Sequence, residues 1–148
     1  MKKIMMTTGS RGWDRNKEQD YNQVTRALII EIKNLIDLGV TEIEVWHGDA
    51  KGSDKMTEEF INKIERSLKE RMNVIIKTKV FPPDINKYGS PVAFHVRNQT
   101  MVDGADVCVA FLKAGEANKG TLSTIKRARD TGVKVAVYGA RELDIRRS

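Results

Sequence analysis

Apolar residues along this chain fall in five short, nearly continuous runs: KIMMTT (3–8), EIEVW (42–46), NVIIKTKVF (73–81), DVCVAFL (106–112) and VKVAVYG (133–139). The runs are rich in valine and isoleucine, and most are apolar at consecutive rather than alternate positions. That pattern predicts strands covered on both faces. Between them the apolar spacing changes to that of a helix. Val24, Leu28, Ile32, Leu35, Ile36 and Leu38 predict a helix over 21–38 that stops at Gly39. Met56, Phe60, Ile61, Ile64 and Leu68 predict a second over 55–71. A weaker pattern covers 92–102, and a short helix over 121–131 ends at Gly132.

Strand and helix alternate throughout, which implies parallel strands joined by right-handed crossovers. The predicted fold is α/β: a single Rossmann-like three-layer sandwich on a five-stranded parallel sheet of order 3-2-1-4-5. Its switch point lies between the first and fourth strands. One domain is expected over 1–140, followed by a polar tail over 141–148. At 148 residues the chain is long enough to bury a real core.

Composition changes this picture little. Twenty-six basic and 20 acidic residues give a formal charge of +6, which favours a phosphate-bearing partner. The densest basic group, Lys126, Arg127 and Arg129, reads first as a solvated helix face. The single cysteine, Cys108, sits in an apolar run, so neither a disulfide nor a cysteine metal site is expected, and the compartment should be reducing. The early apolar run is too short for a signal-peptide core, and no stretch is long enough to span a membrane. A cytoplasmic protein is expected. His47 and His95 are the only histidines and show no ligand spacing, so no metal site is predicted.

Ligands of such sheets bind beyond the carboxyl ends of the strands. There the sequence places Gly9, Ser10 and Arg11 after the first strand, and Gly48, Asp49, Gly52, Ser53 and Asp54 after the second. Gly120 and Thr121 follow the fourth, at a helix start. Gly9–Ser10 and Gly120–Thr121 can turn free backbone N–H groups toward an anion, and Arg11 adds a planar fork of donors. Gly52 permits close approach by a ligand or a neighbouring loop. Ser53 or Asp54 could cap the following helix, and Asp49 is placed to accept from ribose hydroxyls or to act as a base. Tyr88, Gly89 and Pro91 mark a loop that could fold over the site. Arg97 and Asn98 precede the fourth strand on a helix, and an arginine there could pair with phosphate. Met101 and Trp13 read as core, although Trp13 could also stack on a base.

GSR, HGDAKGSD, RNQTM and the GT at the last helix, in that order, resemble the SLOG superfamily, and within it the small YspA (cpYpsA-related) branch. The resemblance runs from Lys3 to about Tyr138. It implies a domain that binds nucleotides or nucleotide-derived ligands, with Gly9, Ser10, Arg11, Gly48, Asp54, Arg97, Asn98, Gly120 and Thr121 lining the cleft. Superfamily members include LOG-type phosphoribohydrolases, proteins of nucleotide signalling in conflict systems, and the single-stranded-DNA-binding DNA-processing protein A group. LOG-type enzymes carry PGGxGTxxE in the last loop. This chain reads AGEANKGTLST, so Thr124 stands where their glutamate would be. Threonine is a poor acid or base near neutral pH.

Three functions follow as expectations. The first is a binding protein for a phosphate-plus-ribose ligand, acting as sensor, sequestering or processing protein. The second is an N-glycosidic hydrolase with Asp54 and Asp49 as its catalytic carboxylates. The third is a single-stranded nucleic-acid binder, disfavoured by an aromatic content of 6%. No cofactor is required, though Mg²⁺ could accompany a bound phosphate. A homodimer or larger homo-oligomer is expected from the apolar first two helices and from the habit of the family.

Overall fold

A computed structural model describes residues 1–48 and 50–142. Its elements, in chain order, are β1 (Lys2–Gly9), α1 (Glu18–Asp37), β2 (Glu42–His47), α2 (Ser53–Met72) and β3 (Ile75–Val80). Then follow α3 (Ile85–Tyr88), α4 (Val92–Gly104), β4 (Val107–Leu112), α5 (Lys119–Thr131) and β5 (Lys134–Gly139). All strand pairs are parallel, as the alternation predicts, and the sheet order is β3-β2-β1-β4-β5, the order expected of a Rossmann-like sandwich. Asp49, and residues 143–148 of the polar tail, lie outside the described residues.

The apolar runs become the sheet interior because both faces are covered. Every residue of β4 is buried. One face of the sheet packs Met5, Val45, Val109 and Phe111 against α1 and α2 through Val24, Leu28, Met56 and Ile61. The other face packs Met6 and Cys108 against Met101 and Val102 of α4 and Ala128 of α5. Burial pushes the Cys108 thiol up to about 12, so it stays protonated and serves as packing. Trp13 belongs to the core: it is 3% exposed, donates from Nε1 to the carbonyl of Phe111 at 3.2 Å, and meets the Phe111 ring edge-on.

Element edges differ from the sequence pattern where polar residues make the boundary. α1 starts at Glu18 rather than 21, because its first turn is polar and Asp20 is buried by a contact with Lys113. β3 starts at Ile75, since Asn73 adopts a left-handed conformation (φ 55°) to close α2. The segment 82–91 contains a one-turn helix, α3, capped when Asp84 accepts from the Lys87 N–H.

Candidate functional site

The carboxyl ends of β1, β2 and β4 open on a single hollow of about 360 Å³. Its floor is the end of β1, Thr7 to Gly9, continuing into Ser10 and Arg11. Gly48, Ala50 and Asp54 form one side, and Phe94, Arg97, Asn98 and Met101 of α4 form another. The start of α5, from Asn118 to Thr121, closes the far end. Nine of the predicted residues therefore meet: Gly9, Ser10, Arg11, Gly48, Asp54, Arg97, Asn98, Gly120 and Thr121. Gly52 does not line the hollow. At φ 83°, a β-carbon there would stand 2.5 Å from the Ser10 carbonyl oxygen, so this glycine serves the passage of one loop over another.

The β2–α2 loop is held by its own acid. Asp54 is buried, and its Oδ2 accepts from the N–H of Gly48 at 3.2 Å and of Ala50 at 3.1 Å. Neither Ser53 nor Asp54 caps α2 in the expected way: the N-cap is Gly52, and the first turn has no side-chain cap. The Ser53 hydroxyl faces Gly9, where a β-carbon would lie 2.1 Å from it. A side chain at position 9 would have to turn this hydroxyl aside and would still crowd the β-carbons of Ser53 at 3.0 Å and Phe111 at 3.2 Å. His47 is fully buried at the end of β2 and does not line the hollow; its Nε2 lies 3.7 Å from Glu58 Oε2.

Arg97 is the pivot between loops. Its Nη1 donates to the carbonyls of Gly48 at 2.6 Å and Phe81 at 3.1 Å, and its Nε donates to Asn98 Oδ1 at 2.7 Å. A β-carbon at position 48 would sit 2.3 Å from Nη1, so the glycine is what lets the guanidinium cross. Burial holds the Arg97 pKa below the usual arginine range; Asp54 opposes this, and the positive charge of Arg11 adds to it. Part of the donor fork expected to meet a phosphate is thus committed to carbonyl oxygens.

Arg11 is different. It is exposed, and among the described residues no carboxylate pairs with it or with Lys119. The start of α5 also lacks a side-chain cap, so its first N–H groups face the hollow without a side-chain acceptor. Asn118 at the N-cap is occupied elsewhere. In a left-handed conformation (φ 54°) it accepts from the Lys113 N–H and donates to the carbonyls of Lys113 and Glu116, knitting the β4–α5 loop. Thr121 is 3% exposed and lines the hollow, and its hydroxyl has no hydrogen-bond partner among the described residues. Thr124, in the next turn, donates to the Gly120 carbonyl instead.

Sequence reasoning assigned neither Phe94, Asn118 and Lys119, which line the hollow, nor Glu116, which braces it, to the site. Asn118 carries a faint signal, since asparagine tolerates the left-handed region directly before a helix. Glu116 carries none. Its Oε1 accepts from Ser10 Oγ at 2.8 Å and so joins the loops after β1 and β4, while Gly12 leaves room for its carboxylate. Tyr88 lies away from the hollow, in a neighbouring cavity with Phe81 and Pro82, so the 82–91 segment does not roof the site.

Together these groups make an anion-receptive hollow: uncapped helix amides, an unbonded Thr121 hydroxyl, and two cations, Arg11 and Lys119, without a paired carboxylate. Among the described residues, no group of three or more His, Cys, Asp or Glu side chains converges as a metal site. Among the described residues, no helix is long and apolar enough to cross a membrane. No family model, no curated protein and no solved structure matches this chain.

Proposed function

We propose that this chain is a SLOG-type binding protein for a nucleotide or nucleotide-derived ligand, held by its phosphate at the carboxyl edge of the sheet. The observation that carries the reading is the meeting, in one hollow, of the uncapped α5 start with Thr121, Lys119 and Arg11, none of them side-chain paired. A phosphate would accept from the amides of Gly120 and Thr121 and the Thr121 hydroxyl while offsetting the repulsion between Arg11 and Arg97. Asn98 Nδ2 remains as a donor toward the sugar, because only its Oδ1 is taken by Arg97.

Binding is favoured over base hydrolysis. The Asp54 carboxylate organises its loop, and Thr124 is turned into its own helix. A nucleic-acid surface has less support still. Lys126 pairs with Asp130, Arg129 pairs with Glu142, and Arg127 donates to Gln99.

A thermal-shift series tests the reading with inorganic pyrophosphate, nucleoside mono- and diphosphates, and the bare nucleosides. Ligand at about 100 times its Kd should add about 2.7 kcal/mol, or roughly 5–10 °C in Tm for a chain of this size. Thr121→Val and Arg11→Ala should each reduce the shift. The absence of a shift with every phosphate ligand overturns the proposal.

A further inference from the structure

α4 has two working faces. Phe94, Arg97, Asn98 and Met101 look into the anion hollow. Ala93, Val96, Arg97 and Thr100 look the other way, into a second cavity of about 220 Å³ closed by Phe81, Pro82, Asp84 and Tyr88. Among the described residues only Arg97 belongs to both, and its Nη1 bonds a carbonyl on each side, those of Gly48 and Phe81.

We infer that the second cavity is the subsite for the flat base of the ligand whose phosphate occupies the hollow. This rests on the functional reading above and extends it. The cavity is smaller than the roughly 300–1,000 Å³ of a complete small-molecule site, which suits one ring system rather than a whole ligand. Five of its eight lining residues, Phe81, Pro82, Tyr88, Ala93 and Val96, are apolar or aromatic, while the surface they and Asp84, Arg97 and Thr100 present is about half polar. Tyr88 is left 40% exposed beside it, in a chain where aromatics make up only 6% of residues. The Arg97 guanidinium at the shared wall offers a planar surface of the kind on which bases stack. Asp84 adds an acceptor for a base N–H: one of its carboxylate oxygens takes the Lys87 N–H, and the other is left over. The competing platform is Phe94 in the first hollow, whose ring lies 5.6 Å from the Arg97 guanidinium carbon.

Calorimetric titration of the full chain with inorganic pyrophosphate and with ADP decides the matter. ADP should bind at least tenfold more tightly than pyrophosphate. Tyr88→Ala and Thr100→Trp, both at exposed positions, should erase that advantage while leaving pyrophosphate affinity within twofold. Thr100 donates only to the carbonyl of Val96 in its own helix, so its replacement breaks no tertiary hydrogen bond. The inference is overturned if ADP gains nothing over pyrophosphate. It is overturned equally if the gain survives both variants or is lost only in Phe94→Leu. Failure of pyrophosphate itself to bind removes the functional reading, and this inference with it.

Discussion

The two edges of the sheet are built on opposite terms. At the amino edge the connections are short, and each helix end is closed by backbone bonds. Gly39 N–H reaches Ile36 and Val40 N–H reaches Leu35; Asn73 reaches Lys69 and Val74 reaches Leu68; Gly132 reaches Arg129 and Val133 reaches Ala128. These are the bonds that satisfy terminal carbonyls. At the carboxyl edge the connections are longer, and α1, α2, α4 and α5 all begin without a side-chain cap. One edge closes its helix ends with backbone bonds, while the other leaves its helix starts without side-chain caps. Stability and ligand binding should therefore separate by position.

The largest expected effect tests what the edges share. Phe111 is fully buried in β4, beneath Trp13. Phe111→Ala should cost about 3–5 kcal/mol in a denaturant melt, through lost burial and the cavity left behind. A smaller loss would mean that the two faces of the sheet relax independently.

Next in size is Asp54→Ala at the carboxyl edge. The buried Gly48 amide and the part-buried Ala50 amide lose their acceptor, and Arg97 loses the charge that opposes its desolvation. A loss of about 1–3 kcal/mol is expected, together with weaker pyrophosphate binding, because the loop that Arg97 crosses is released. At the amino edge, Asp106→Ala removes the acceptor of the Ile4 N–H at 2.7 Å. That change should cost about 1 kcal/mol and leave anion affinity untouched. If Asp106→Ala weakens binding as much as Asp54→Ala does, the division between the edges is wrong.

The smallest effect appears in acid. Burial works to raise the Asp20 pKa, but the Lys113 ammonium at 2.6 Å and the Asp14 N–H together bring it below the ordinary carboxylate value. A lowered folded-state pKa gives stability that is present above the unfolded value, about 3.9, and lost as pH falls through the folded one. Wild-type stability should therefore fall below about pH 4, and Asp20→Asn should flatten that slope. An unchanged slope in the variant would show that the ion pair contributes nothing.

The sheet was legible because its signal is local: each buried strand announces itself by consecutive apolar residues, the alternation with helices then implies a parallel sheet, and the order is the one usual for a Rossmann-like fold. The convergence of Gly9, Arg11, Gly48 and Thr121 followed from topology, since loops at one edge must meet. What escaped the sequence depends on partners far along the chain. Asp20 is buried by Lys113, 93 positions away, and Ser10 is held by Glu116, 106 positions away. Their side chains look like ordinary loop polarity until the fold brings them together. α4 gave only a weak pattern for a different reason. A helix serving a polar hollow on one face and a small cavity on another has no single apolar stripe to show.

That double duty gives position 48 a consequence of its own. Because the guanidinium of Arg97 passes where a methyl group at residue 48 would stand, the smallest enlargement of this glycine would shift a wall common to both chambers. On the proposed binding mode, an alanine there would disturb the recognition of two different parts of a guest at once, through the one arginine that both chambers share.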